Sequence, residues 1–410
     1  MNSSEVWVRG SGVVGMVAAL ALARLGLSVE LSDEGGAAGG GVGAGGGGVD
    51  GGPAPAAALP GKDLRAFALN AASLKLLTDL KVWQALPADA KTPVHDMHIE
   101  GDQPGAALDF SAWSQGLAEL AWIVDAAELH AALRAAVTYS PHVQYTEAGR
   151  APAQTPAPTP KPTPTPAPTA ALTVVAEGKA SAARAALGVR VERHAYGHTA
   201  IAARLSSTQA HAGLARQWFR SPDVLALLPL DRPTPGHGLA LVWSMPQSQA
   251  HKLLQAPEAE FVQALMDATG GAAGPLQLCS ERAAWPLQLA RAEVVHGPGW
   301  VLVGDAAHVV HPLAGQGLNL GLADVQALAS VLAERARIEP WRDLGDVRLL
   351  ARYARQRAGP NQAMAQVTDG LLQLFASHQP WLRELRNRGL NAANRLAPLK
   401  RLLIGQALGR

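Results

Sequence analysis

The sequence predicts an α/β fold in which a doubly wound, parallel-sheet domain is interleaved with a β-rich domain and followed by a helical carboxy-terminal tail. Three observations carry that expectation. The short apolar run Val6-Trp7-Val8 leads into Gly10-Ser11-Gly12-Val13-Val14-Gly15, and then into an alanine- and leucine-rich helix ending near Gly26. Residues 189–246 alternate apolar and polar side chains with turn residues between them, as an antiparallel sheet requires. From Leu318 onward the pattern is helical.

The first strand, glycines and helix form a unit with a purpose. A Gly-x-Gly-x-x-Gly spacing alone is weak, and Gly41, Gly43 and Gly46 repeat it inside a glycine tract. Only the first match follows a strand and opens a helix. There Gly10 makes the tight turn, Gly12 admits a pyrophosphate to the backbone, and Gly15 lets helix and strand pack closely. The helix amides then face the phosphates with partial positive charge. Leu27 to Leu31 reads as the second strand, and Asp33 directly after it stands where a dinucleotide ribose is hydrogen-bonded. Adenine-dinucleotide binding is the expectation.

Composition limits the remaining choices. A chain of 410 residues is long enough for two connected parts with a large core. With 35 basic against 33 acidic residues and no dense basic block, nucleic acid is not an expected partner. Cys279 is the only cysteine, which excludes an internal disulfide, a Cys-x-x-Cys pair and any multi-thiolate metal site. Redox chemistry must come from a borrowed cofactor, in a reducing compartment. The apolar run Val13 to Ala23, ended by Arg24, is far short of the roughly 20 residues that span a bilayer. The first residues, Met1-Asn2-Ser3-Ser4-Glu5, offer no positively charged secretory region. Cytoplasmic residence is expected, with peripheral contact at the inner face of the membrane left open.

Further along, residues 34–61 form a glycine, alanine and proline tract read as a flexible loop. Leu64 to Leu86 carries a helical pattern, and Leu117 to Val137 reads as a strand followed by a helix. Residues 151–169 alternate proline with small residues, the composition of an extended polyproline II spacer. Trp300 to Val303 reads as a buried strand that delivers Gly304-Asp305 into a glycine-rich turn, Gly315-Gln316-Gly317, which opens another helix. A carboxylate and bare amides thus converge on one ligand.

The stretch His311-Pro312-Leu313-Ala314-Gly315-Gln316-Gly317-Leu318-Asn319-Leu320-Gly321-Leu322 resembles the second FAD signature of the flavoprotein aromatic hydroxylases related to para-hydroxybenzoate hydroxylase. It looks most like the ubiquinone-biosynthesis hydroxylases of the UbiH and UbiI type. The resemblance implies FAD as cofactor, with Asp305 on the ribityl chain and residues Pro312 to Asn319, Leu318 among them, along the flavin ring. Leu64-Arg65-Ala66-Phe67-Ala68-Leu69 matches the family segment whose arginine reaches the cofactor, so Arg65 becomes a phosphate or ribose ligand. From the residues alone it is a helix-start arginine. The implied fold is a Rossmann-like FAD-binding domain of the para-hydroxybenzoate hydroxylase (GR2) type, in pieces at 1–90, 121–188 and 286–375. A β-rich substrate domain occupies 91–120 and 189–285, and a helical tail runs over 376–410.

Departures from the family pattern are equally visible. Glu177-Gly178, with Ser181 and Arg184, replaces an Asp-Gly pair and lengthens its side chain by one methylene. Asp125-Ala126 stands where Glu-Asn is common, and the Pro/Thr spacer replaces sequence that usually forms strands of the cofactor domain. Both Glu177 and the spacer put turnover in question.

The implied activity is hydroxylation of an aromatic ring of a polyprenylated phenol in ubiquinone biosynthesis. NAD(P)H would be a transient reductant that has no Rossmann domain of its own, and dioxygen would be the oxidant. A flavin enzyme acting on another aromatic substrate, or a non-catalytic flavin-binding scaffold subunit, are the alternatives. His308 and His311, at i and i+3, fall short of the three protein ligands a metal needs. His311 could move a proton or shape its loop. Trp218, Phe219 and Trp243 could line an aromatic pocket or belong to the core. Residues 380–410 combine leucines with Arg383, Arg386 and Arg388, a pattern suited to a membrane surface, a partner protein or the chain's own domain.

Overall fold

Val6–Arg9 forms strand β1, whose first three residues are buried because it lies in the middle of a six-stranded sheet. The computed structural model describes residues 4–33, 63–102, 105–146, 170–310 and 316–376. The sheet takes the order β16, β17, β9, β1, β2, β8, with β2 at Val29–Ser32, β8 at Val143–Thr146 and β9 at Leu172–Val175. Strand β16 is His296–Gly297 and β17 is Trp300–Leu302. All neighbours are parallel except β16 and β17. Central parallel strands are covered on both faces, which explains why β1 and β9 read as short, largely apolar runs. Helix α1 (Val13–Ala23) is buried along most of its length for the same reason, packed between the sheet and its neighbouring helices.

Strands β8 and β9 flank the Pro/Thr spacer in sequence, and both belong to the sheet, β9 beside β1 and β8 beside β2. The spacer itself, the glycine tract at 34–61 and the tail from 377 lie outside the described residues. Among the described residues no helix is long and apolar enough to cross a membrane.

The β-rich part is a nine-stranded sheet in the order β18, β15, β10, β13, β12, β11, β5, β6, with β14 also on β10. Its long strands are β10 (Val191–Ser207), β11 (Leu214–Arg220), β12 (Asp223–Pro229), β13 (Gly238–Pro246) and β15 (Ala283–Ala292). The shorter ones are β5 (Asp96–Glu100), β6 (Ala107–Ser111), β14 (Leu276–Leu278) and β18 (His308–Val309). One face is covered by α5 (Gln247–Gln255) and α6 (Glu258–Thr269). A three-stranded sheet of β3 (Ala66–Leu69), β7 (Ala121–Asp125) and β4 (Lys91–Val94) packs on the other. The remaining helices are α2 (Ala71–Asp79), α3 (Ala126–Tyr139), α4 (Ala182–Ala186), α7 (Gln316–Ile338) and α8 (Val347–Ala376).

One sequence expectation needs correction. Leu64 to Leu86 is not helical throughout: Ala66–Leu69 is strand β3, and α2 starts only after Asn70, whose side chain caps it by accepting from Ser73 N at 2.9 Å. Pairing of β3 along β7, from Ala66↔Asp125 to Leu69↔Trp122, overrides the helix propensity of its alanines. Strand β4, assigned by its sequence to the substrate domain, pairs with β7. Strand β15 continues on the large sheet to Ala292, past the expected limit at 285, because its far half pairs with β10 from Val191 to Ala195.

Candidate active site

The first glycine turn closes on the protein at two of its glycines and stays open at the third. Gly10 has φ +108°, and a Cβ there would lie 2.5 Å from Ala176 O; one at Gly15 would lie 1.8 Å from Gly10 O. Only glycine can occupy either position. A Cβ at Gly12 would meet nothing within 4 Å, so this glycine faces free space. Gly12 also caps α1 without a side-chain hydrogen bond, leaving the first-turn amides for an incoming anion. Asp33, at the end of β2, accepts the Ser11 hydroxyl at 2.5 Å and is thereby held against the turn. His130 on α3 hydrogen-bonds the Ser11 backbone and faces Asp33. Burial, and then the nearby Arg134, push its pKa down, so it is neutral at pH 7.

The second signature packs directly onto the first. Residues Gly304–Ala306 form a 3-10 turn after β17, with Gly304 at φ +59°. A Cβ on Gly304 would come within 3.1 Å of Val14 Cγ1; one on Gly321 would lie 2.7 Å from Val14 Cγ2 and 3.2 Å from Gly304 Cα. Helices α1 and α7 and the Asp305 turn therefore meet at a single point.

Arg65 and Asp305, expected from opposite ends of the chain to serve the same ligand, are brought close together. Burial alone would lower the Arg65 pKa, but Asp63 and then Asp305 outweigh it and the pKa is raised. Arg65 precedes a strand and does not start a helix. Asp63 orients it, accepting from Nε at 2.8 Å and from Nη2 at 2.6 Å, and its guanidinium lies 5.6 Å from the Phe67 ring and 6.0 Å from the Trp285 ring.

Asn319 on α7 donates from Nδ2 to Ala68 O at 2.8 Å and accepts from Asn70 N at 3.1 Å, fastening α7 to the β3–α2 turn. Gly317 has open space where a Cβ would be, and Leu318 packs half-buried against the core of the parallel domain. Gln316 is the first residue of α7. Pro312, Gly315 and His311 lie outside the described residues.

A residue that the sequence reading passed over organises this region. Asp324 on α7 is fully buried and accepts from Gly304 N at 3.0 Å, from Arg357 Nε at 2.7 Å and from His308 Nε2 at 2.6 Å. Burial would push the His308 pKa down, yet Asp324 and then Asp305 raise it. For Asp324 the burial penalty is likewise outweighed, by His308 and Arg357, and its pKa is lowered. Each shift favours the charged form of its group. His308 is thus the partner of a carboxylate, and no cluster of three or more potential metal ligands occurs among the described residues. The sequence held the signal: an acid among Leu320, Leu322, Ala323 and Val325 on a helix must find cations.

Glu177 is not a disrupted motif. Its fully buried carboxylate forms an ion pair with Arg9 at 3.0 Å and accepts from Ser181 Oγ and Ala183 N, both at 2.8 Å. Arg184 in turn donates to Ala306 O at 2.8 Å, tying this segment to the Asp305 turn. The extra methylene is absorbed by reaching the start of α4.

Register assigns the aromatic residues of the large sheet. Ile201, Trp243, Leu225 and Trp218 lie opposite one another across four strands and share a face. That face packs on α5 and α6, with the Trp243 ring 6.3 Å from Phe261. Trp218 and Trp243 are therefore core. The next register row, Ala202, Val242, Ala226 and Gln217, occupies the opposite face. On that face Arg204 reaches Arg65 O and Asp125 Oδ2, both at 2.9 Å, and Trp285, paired with Ala200, looks toward Arg65. Phe219 also lies on this side, packed with Val224. The face toward the Arg65–Asp305 site carries the small side chains Ala200 and Ala202 and is edged by Trp285, while Phe219 is buried against Val224 and Ile99. Trp285 had no distinguishing sequence signal, because its role depends on a strand pairing 85 residues away in the chain.

These features suit an FAD. A ligand-facing glycine, a ribose-side acid, free helix amides, and an arginine with an aspartate at a second glycine turn supply complementary groups along one dinucleotide. Comparison with known proteins agrees. Residues 58–368 match the FAD binding domain family. The chain is 31% identical over 418 residues to the 3-demethoxyubiquinol 3-hydroxylase of Escherichia coli K12, covering 99% of this chain and 98% of that one. It is 30% identical over 413 residues to ubiquinone hydroxylase UbiL of Rhodospirillum rubrum, covering 99% and 90%. PqsL of Pseudomonas aeruginosa, a probable FAD-dependent monooxygenase, has the same fold, with a TM-score of 0.69 at 20% identity over 95% of this chain and 100% of that one.

Proposed function

The chain belongs to the FAD binding domain family as an FAD-dependent monooxygenase, and from that premise we propose that it hydroxylates the ring of a polyprenylated phenol in ubiquinone biosynthesis. One oxygen atom of dioxygen enters the ring, the other leaves as water, and NAD(P)H supplies the two electrons. Bound FAD would supply electron transfer and oxygen activation. The Gly10–Gly15 turn, Asp33, Arg65 and Asp305 would hold it.

The observation that carries the reading is the small-residue floor of Ala200, Ala202, Ala226 and Val242 facing that site. It supports a bulky, apolar ring substrate, and the two curated relatives are named for quinone-ring hydroxylation. The protein's work is to seat the ring and exclude water, with Trp285 as a wall. A polyprenyl tail partitions into membranes, so transient contact with a lipid surface belongs to the same proposal.

The test is oxidation of NAD(P)H under air with and without a prenylated phenol, followed by the product's mass. Substrate-stimulated oxidation with a mass gain of one oxygen is expected; oxidation indifferent to every phenol sinks the reading. Ala202→Phe should raise the dissociation constant of a prenylated phenol by about tenfold or more, roughly 1.4 kcal/mol, while FAD stays bound. Unchanged phenol binding would remove this face from the substrate site. Glu177, one of the two supports of the scaffold alternative, is held by Arg9, Ser181 Oγ and Ala183 N.

A further inference from the structure

Strands β11, β12 and β13 and helices α5 and α6 enclose a pocket of about 470 Å³, on the face of the large sheet that points away from Arg65. Register brings its floor together. Trp218 stands opposite Leu225 and Leu225 opposite Trp243, while Asp223 and Arg220 stand opposite each other one pleat further along the same face. Ala264 and Ala268, one turn apart on α6, line the other side of the pocket.

The two tryptophan rings belong to the core, yet their nitrogen atoms do not. Trp218 and Trp243 are 1% and 3% exposed, and among the described residues neither Nε1 has a hydrogen-bond partner. Asp223 accepts from Gln249 Nε2 through Oδ2 at 3.0 Å, but its Oδ1 is buried with no donor. The Trp243 N–H faces this carboxylate without closing a bond to it. Burial raises the Asp223 pKa, and the Gln249 amide, the Trp243 N–H and His198 only partly offset that. Arg220 is paired with Glu100 at 3.5 Å, and Lys252 is exposed at the mouth.

We propose that this pocket is a second ligand site, for a phenol: the aromatic ring lies between the tryptophans and the α6 alanines, and its hydroxyl donates to Asp223 Oδ1 and accepts from the Trp243 N–H. Buried polar groups left unpaired are costly, and here three of them line one cavity. A hydroxyl meets an acceptor and a donor with a single atom. An ammonium cannot accept from the indole, a carboxylate meets the Asp223 charge, and a lone carbonyl leaves Oδ1 unpaired. A water could bridge the same pair, but the cavity is on the order of ten times the roughly 30 Å³ of one water, and its aromatic and aliphatic walls favour a ring. The site is separate from the face assigned to the hydroxylated ring, because Trp243 and Val242 point to opposite sides of β13, and it does not depend on that assignment.

The test is titration of the FAD-loaded enzyme, isotope-labelled at its indole nitrogens, with phenol, benzene and benzoate. The indole N–H resonances of Trp218 and Trp243 are assigned with Trp218→Phe and Trp243→Phe. Phenol should shift both, moving the Trp243 signal downfield as its N–H gains an acceptor, while benzene and benzoate should bind there at least about tenfold more weakly. Asp223→Leu removes the acceptor and should weaken phenol about tenfold; Asp223→Asn, which keeps the shape and one acceptor oxygen, should weaken it about threefold. Ala264→Phe fills the space for the ring and should abolish both shifts. FAD content and melting temperature report whether each variant is folded, and Asp223→Asn decides the matter if the bulkier changes are not. No phenol-induced shift, wild-type affinity in the folded Asp223 variants, or benzene or benzoate binding as tightly as phenol overturns the pocket and leaves the hydroxylase reading untouched. Phenol-dependent shifts in a protein that hydroxylates nothing keep the pocket and remove that reading.

Discussion

Gly15→Val should yield protein that retains no FAD through gel filtration. A Cβ at this position would sit 1.8 Å from Gly10 O, which is backbone and cannot swing away. Strand β1 and helix α1 must separate, and overpacking of this kind costs about 1–3 kcal/mol or more. FAD affinity should fall by about 100-fold, equivalent to roughly 2.8 kcal/mol. Gly12→Ala isolates the ligand's share of the effect. Its Cβ meets nothing in the protein, so the apoprotein should melt as the wild type does while FAD still binds more weakly. Wild-type FAD affinity in Gly12→Ala would mean that the pyrophosphate does not approach that face.

Asp324→Asn should be the most destabilising single change in the second signature. It leaves His308 and Arg357 buried around an uncharged amide, and breaking a buried pair in this way costs about 3–5 kcal/mol. Its pH dependence distinguishes electrostatics from packing. The lowered pKa of Asp324 contributes stability that is present above its ordinary value of 3.8 and is lost as pH falls through the lower folded value. The raised pKa of His308 contributes stability that is complete below its ordinary value of 6.5 and is lost as pH rises through the higher folded value. In the wild type this term therefore makes stability decline on the alkaline side of 6.5. In Asp324→Asn, burial without a partner favours neutral His308, so the same term should make stability climb with pH. Denaturant melts across that range decide the matter; parallel curves for the two proteins would contradict the ion-pair account.

How much of this was legible depends on the range of the forces involved. The Gly10–Gly15 turn and Asp33 could be read because strand, glycines, helix and acid are neighbours in sequence. Arg65 and Asp305 could be paired only through the resemblance, and the structure puts them close together. Ala66–Leu69 could not be recognised as a strand, since its identity comes from pairing with β7. The facing of Trp218 and Trp243 was equally hidden. A one-residue shift in register would have turned both toward the cofactor side, and composition is silent about register. Asp324 was visible as an anomaly, but its partners, at positions 308 and 357, follow from how α7 and α8 pack.

The contact of Val14 with Gly304 and Gly321 has a consequence for biosynthesis. The first glycine turn leaves the ribosome early, but the wall that completes it arrives some 300 residues later. Strand β1 likewise waits for β9, and the Asp305 turn waits for Asp324. Domains ordinarily fold as they emerge, from the amino terminus onward. Here no nascent fragment ending before α7 contains a finished cradle, so cofactor loading is a late event that follows release of nearly the whole chain. FAD would then act as a folding checkpoint, locking together two ends that translation produces far apart in time.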